Sequence, residues 1–238
     1  MIIDASPSSS GPAFDLLIFD CDGVLVDREV LACCAVSEAL AEFGLSLPVD
    51  EIAERFLGRS TKDMYAALEA EWGCVLSEEV RSRIRAHSRE LFDRELRPVT
   101  GIASVLDALA VPRCVASSSG PEAIAYKLGR ADLLRRFEPT ALFSAHMVSR
   151  GKPAPDLFLH AAEHMGSDPE RCLVVEDSVP GVTAARAAGM AVFGFTGASH
   201  CRAGHADRLA AAGADLVFAE MRVLPSLIAQ RNATFTTS

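Results

Sequence analysis

Apolar and polar positions divide the 238-residue chain into two kinds of segment. Short unbroken apolar runs recur: "LLIF" at 16–19, "CVASSS" at 114–119, "ALFSA" at 141–145, "CLVVED" at 172–177, "MAVFGF" at 190–195 and "ADLVFA" at 214–219. A short apolar run closed by polar residues or glycine reads as a strand buried on both faces, as parallel strands are. Helix-forming stretches lie between several of them, at 101–110, 121–130, 155–165, 180–188 and 203–212. Strand alternating with helix predicts an α/β fold, a Rossmann-like parallel sheet with helices on both faces. Ligands of such sheets bind beyond the carboxyl ends of the strands, which decides where to look for chemistry.

Residues 29–96 carry a different pattern, with no clear strand. Val36, Ala39, Leu40 and Phe43 form an apolar helical stripe opposite Glu38 and Glu42, and Ile52 and Phe56 pair at i,i+4. Ser60-Thr61-Lys62-Asp63 has the form of a capping box before Met64, Leu68 and Trp72. Ser77-Glu78-Glu79 opens a further helix with Val80, Ile84 and Leu91 on one side. The expectation is an inserted α-helical cap of four helices over 29–96, set into a catalytic core made of 14–28 and 97–230. Its hinges fall near Val26–Glu29 and Leu96–Val99. Residues 1–13, rich in Ser, Pro and Gly, are expected as a disordered tail, and 231–238 as a C-terminal tail.

Composition narrows the class. Half the residues are apolar, enough for a sizeable core, yet no run approaches the ~18 residues of a membrane span. The first residues lack the basic region and long apolar segment of a secretory signal. The net charge of −9 argues against nucleic acid as a partner, and the expected partner is a small molecule taken up by a monomer. An anionic substrate would need a local cation to override that field. The seven cysteines are odd in number and include no CxxC, so reduced thiols in the cytoplasm are expected.

The predicted strand ends gather acids, hydroxyls and a lysine. Asp20 closes the first run and Asp22 follows. Ser117, Ser118 and Ser119 close the second, Lys152 stands in "RGKPAPDLF" before a helix, and Glu176 and Asp177 close "CLVVED". Each is ambiguous alone, as a turn former, a helix cap or a solvated lysine. Together they suit transfer of a phosphoryl group. A phosphate monoester repels an anionic nucleophile unless its charge is neutralised, and Mg²⁺ with hard oxygen ligands does this. Asp20 can then attack phosphorus. Asp22 can supply and later accept a proton. Asp177 completes the metal shell, while Ser117 and Lys152 hold the transferring oxygens.

These segments resemble the haloacid dehalogenase-like hydrolase superfamily, in the branch of β-phosphoglucomutase and of small-metabolite phosphatases with a helical cap. "FDCDGVLVD" is similar to the first family motif, "VASSS" to the second, "GKPAPD" to the third and "VVEDSVPGVTAARAAGM" to the fourth, and the likeness runs from about Leu16 to Pro225. The resemblance implies Asp20 as nucleophile, Asp22 as general acid and base, Ser117 and Lys152 as stabilisers, and Asp177 as Mg²⁺ ligand. It also implies the backbone carbonyl of Asp22 as a ligand, and Glu176 reaching the metal directly or through water. The dehalogenases lack an acid at the position of Asp22. The mutases carry a cap histidine where spacing places Ala32, and an arginine where Thr61 falls. Hydrolysis of the ester is therefore favoured over a phosphomutase, and a noncatalytic module would be expected to have lost one of these charged groups.

The cap loop should select the leaving group. Gly58, Arg59, Ser60 and Lys62 are its candidate contacts, joined on the core side by Ser118 and Ser119, and "GFTGASH" at 194–200 is expected at the site mouth. With no evident aromatic shelf, a small polyhydroxylated phosphate fits best. "FDCDGVLVDREV" is similar to the 6-phosphogluconate phosphatases of this branch, and Arg59 or Lys62 would then meet a sugar-acid carboxylate. Three features are read as structural: Cys21 as packing, His160 and His164 as an exposed helix face, and His200 to His205 as no metal site.

Overall fold

The computed structural model of the chain describes residues 14–56 and 61–235. The apolar runs become strands: β1 Leu16–Phe19, with β2 Val26–Asp27 just beyond it, and later β3 Arg97–Pro98, β4 Arg113–Ser117, β5 Leu142–Ser144, β6 Cys172–Glu176, β7 Ala191–Phe195 and β8 Leu216–Phe218. Six of them form one sheet in the order β5-β4-β1-β6-β7-β8. Every pairing in it is parallel. The chain starts in the middle at β1, builds outward through β4 and β5, then returns to build the other half from β6. The order therefore reverses at β1, between β4 and β6, and the loops leaving these strands part to form a crevice.

Both faces of the sheet are covered. Leu17 and Phe19 of β1 join one buried cluster with Val115, Leu173 and Val175, and Leu16 and Ile18 join the other with Cys114, Cys172 and Val174. Period-two alternation sends successive side chains to opposite layers, so a strand covered on both faces must be apolar throughout. The first layer holds α5 Ile102–Ala108, α6 Pro121–Arg130 and α10 Leu224–Phe235, and the second holds α7 Asp156–Met165, α8 Val179–Ala187 and α9 His205–Ala211. Sequence reading anticipates five of these helices within a few residues. It stops the core at 230, whereas α10 continues to Phe235.

Among the described residues, four helices fill the segment between β2 and β3: α1 Glu29–Glu42, α2 Val49–Phe56, α3 Thr61–Trp72 and α4 Glu78–Glu95. They enclose their own apolar cluster, with Val36, Leu40, Ile52, Phe56, Leu68 and Ile84. Ser77 caps α4 by accepting a hydrogen bond from the Val80 amide at 3.3 Å. Ser60, expected to cap α3, lies outside the described residues. The two crossings between insert and core are not loose loops, because β2 and β3 pair antiparallel, Val26 opposite Pro98 and Asp27 opposite Arg97. A proline is tolerated in so short a ribbon because no further strand needs its missing N–H.

Candidate active site

The loop after β1 turns sharply. The amides of Leu25 and Val26 both donate to the Cys21 carbonyl at 3.0 Å, and the Gly23 amide donates to Val26. Gly23 adopts a φ of +87°, and a Cβ there would stand 1.8 Å from Asp177 Oδ2. Glycine is required twice over, for the backbone and for the approach of Asp177. Cys21 is wholly buried, as packing requires.

This turn places Asp20 among the acids of β6. Asp20, Glu176 and Asp177 are all buried and offer carboxylate oxygens within 4.8 Å of one another. Lys152 enters from the loop after β5 and donates to Asp20 Oδ1 and Glu176 Oε1, each at 2.6 Å, and to the Ala116 carbonyl at 3.1 Å. Glu176 turns its other oxygen to the amide and hydroxyl of Ser178, at 2.7 and 2.9 Å. His200 Nε2 lies 3.0 Å from Asp177 Oδ2, and His205 Nε2 lies 2.6 Å from the Asp177 carbonyl.

Three acids thus share one lysine and one histidine. Burial pushes the Asp20 carboxyl above its ordinary range, with Lys152 opposing and Glu176 adding to the rise. Asp177 is pushed up likewise, mainly by burial, with His200 opposing. His200 is raised despite its burial by the carboxylate it touches. Buried hard-oxygen donors with an excess of negative charge are what a divalent cation of the magnesium type neutralises, so these residues fit such an ion.

Asp22 faces elsewhere. Its carboxylate accepts from Lys127 on both oxygens and from the Ser119 hydroxyl at 2.9 Å, and Arg28 Nε forms an ion pair with it at 2.8 Å. Burial would raise this carboxyl, but the charges of Arg28 and Lys127 outweigh it and hold Asp22 below the usual carboxylate range. Ser117, buried at the end of β4, accepts from the Ser119 amide at 3.2 Å, and Ser118 is exposed on the same loop.

The expected residues therefore assemble as two neighbouring groups: Asp20, Lys152, Glu176 and Asp177 in one, Asp22 and Ser119 in the other. Gly58, Arg59 and Ser60 lie outside the described residues, as does the side chain of Lys62. Sequence reading misses Lys127, Arg28, His200 and His205 as partners of the acids. A lysine on an amphipathic helix reads as solvated, yet Lys127 is 4% exposed. His200 sits in the loop expected at the site mouth, and Ser199 beside it donates its hydroxyl to Asp27 at 2.6 Å. His160 is half-buried, edge-on to Phe143 with ring centroids 5.6 Å apart, where an exposed face is expected.

The parallel sheet thus presents a buried carboxylate, a lysine and an acidic pair at its switch point. The family model described as haloacid dehalogenase-like hydrolase matches residues 17–195, and the chain belongs to this family. The 6-phosphogluconate phosphatase of Escherichia coli (strain K12) is 36% identical over 187 residues, covering 78% of this chain and 84% of that protein. A probable pseudouridine-5'-phosphatase of Drosophila melanogaster is 35% identical over 182 residues, covering 74% and 78%. Among solved structures, a conserved haloacid dehalogenase-like protein of unknown function from Agrobacterium tumefaciens str. C58 shares 42% identity with a TM-score of 0.81, covering 92% of this chain and 99% of that one. These relatives place the chain among the phosphoric monoester hydrolases of the family.

Proposed function

We propose that the chain is a Mg²⁺-dependent phosphatase that hydrolyses a small sugar phosphate or sugar-acid phosphate, of the 6-phosphogluconate type, through an aspartyl-phosphate on Asp20. The observation that carries this reading is the contact of Lys152 with Asp20 at 2.6 Å inside the acidic cluster. A lysine is fixed on the attacking carboxylate where phosphoryl charge must be held.

Asp20, Glu176 and Asp177 would hold the metal, with the Asp22 carbonyl added by resemblance. When bound, Mg²⁺ neutralises charge between carboxylate and phosphate dianion. An Asp20 oxygen forms the new bond to phosphorus as the ester oxygen leaves, and Asp22 gives that oxygen a proton. Asp22 then takes a proton from water, whose oxygen attacks phosphorus and frees Asp20 and inorganic phosphate. Arg28 and Lys127 favour the charged form of Asp22, which the second step uses. The first step requires Asp22 to be drawn off those cations toward the ester. Lys152 keeps its charge because Asp20 and Glu176 outweigh its burial. Ser117 would position phosphoryl oxygens. Ala32 lines the cleft above, so no histidine stands there for the proton transfers of a mutase.

The test is inorganic phosphate release from sugar, sugar-acid and nucleoside monophosphates, with Mg²⁺ or with EDTA. Metal-dependent release, reduced by about 10³-fold or more in Asp20→Asn, is expected. Release that survives Asp20→Asn would remove the covalent route.

A further inference from the structure

A cleft of about 530 Å³ runs between the helical insert and the core, from Ser119 and Lys127 outward. Its charged lining is Arg28, Arg85, Arg89 and Lys127 against Glu29 and Glu122. Asp22, beneath Arg28 and Lys127, takes up one more positive charge, and at the rim Glu78 pairs with Arg85 and Asp93 stands 3.8 Å from Arg89. Cations gathered on one cleft of a chain of net charge −9 mark a place where an anion can be met against the overall field.

The four cations are not equally free. Arg85 and Arg89 stand at the exposed rim, one paired with Glu78 and the other stacked 3.8 Å from the Tyr126 ring. Lys127 is spent on both oxygens of Asp22 and on Ser119. Arg28 is the inner cation with donors to spare. Its Nη2 meets Glu29 at 3.0 Å, while its Nε stands 2.8 Å from Asp22 Oδ1 but out of line for a hydrogen bond. A guanidinium fork fits a carboxylate through paired N–H groups. Arg28 also stands beside Asp22, so it lies within a few bonds of whatever oxygen Asp22 protonates.

We propose that Arg28 is a specificity-determining residue that reads a carboxylate carried by the leaving group of the phosphate ester. This rests on the phosphatase reading above. It moves the carboxylate contact from the Arg59 and Lys62 of sequence reading to the throat between core and insert.

Matched esters that differ only by acid or alcohol test it: 3-phosphoglycerate against glycerol 3-phosphate, and 6-phosphogluconate against glucitol 6-phosphate. The wild type is expected to favour at least one acid over its alcohol by about tenfold or more in kcat/KM, the scale of one charged hydrogen bond. In Arg28→Gln that ratio is expected to fall to within about threefold, chiefly through KM for the acid. Arg28→Lys, which keeps the charge and loses the fork, is expected to fall between. Circular dichroism establishes that each variant is folded. If acid and alcohol lose activity by the same factor in both variants, Arg28 serves Asp22 alone and the inference is overturned. A wild type that prefers the alcohols overturns it while leaving the phosphatase reading intact. A folded wild type that releases phosphate from no ester ends both.

Discussion

Gly181 shows how finely single atoms are fitted around the acids. It lies inside α8 without a positive φ, where alanine would ordinarily gain about 1 kcal/mol of helix propensity. Its added Cβ, however, would stand 1.9 Å from the carboxyl of Glu176. Gly181→Ala is therefore expected to displace Glu176 and raise the Mg²⁺ concentration needed for half activity by about tenfold, as loss of a ligand-orienting contact does, read from a metal titration of phosphate release. Lys127→Met tests the second group. It leaves Asp22 buried beside Arg28 alone, and breaking a buried pair costs about 3–5 kcal/mol when nothing else compensates. Urea unfolding is expected to show a loss toward the lower end of that range, because Arg28 remains. Asp20, Asp22, Lys152 and Asp177 are legible in the sequence because each stands in a loop just beyond a strand or just before a helix. Lys127 is not, since 105 residues separate it from Asp22 and only the packing of α6 onto the sheet brings them together.

At the scale of elements, β1 is the central strand, and its four side chains are buried on both faces. Ile18→Ala is expected to cost about 2–5 kcal/mol, measured by urea or thermal unfolding, with little relaxation of the surrounding layers. The insert is tied by softer contacts. Glu42 of α1 meets Arg83 at 2.8 Å and His87 at 2.9 Å on α4. Its carboxyl is lowered to about 2, chiefly by the Arg83 and His87 hydrogen bonds. A carboxyl depressed in the folded state contributes stability that is present above its unfolded pKa and is lost as pH falls toward the folded value. The Tm difference between wild type and Glu42→Gln is thus expected near pH 6 and should close as pH approaches 2. It will be small, because the pair faces solvent. The six long strands and most helices are legible because burial imposes continuous runs and helical spacing. The ribbon of β2 and β3 is not, because two-residue strands, one with a proline, carry no periodicity.

For the whole molecule, a cation held by the acidic cluster would make folding and binding one linked equilibrium. Mg²⁺ at about a hundred times its Kd is expected to add about 2.7 kcal/mol of stability, which for a chain of this size raises Tm by roughly 5–10 °C. Asp177→Asn should abolish most of that rise, and a rise that survives would place the ion elsewhere. The net charge of −9 says nothing of this site, because the charges that matter are arranged locally around the cleft. The paired crossings have a consequence of another kind. Asp27 and Arg97 are partners in an antiparallel ladder, so the chain leaves the core and re-enters it at adjacent points. Cutting out 28–96 and joining those two residues through Asn-Gly would turn the crossings into an ordinary hairpin. The helical insert is in this sense a replaceable attachment. A different insert could be spliced onto the same sheet without re-threading a strand.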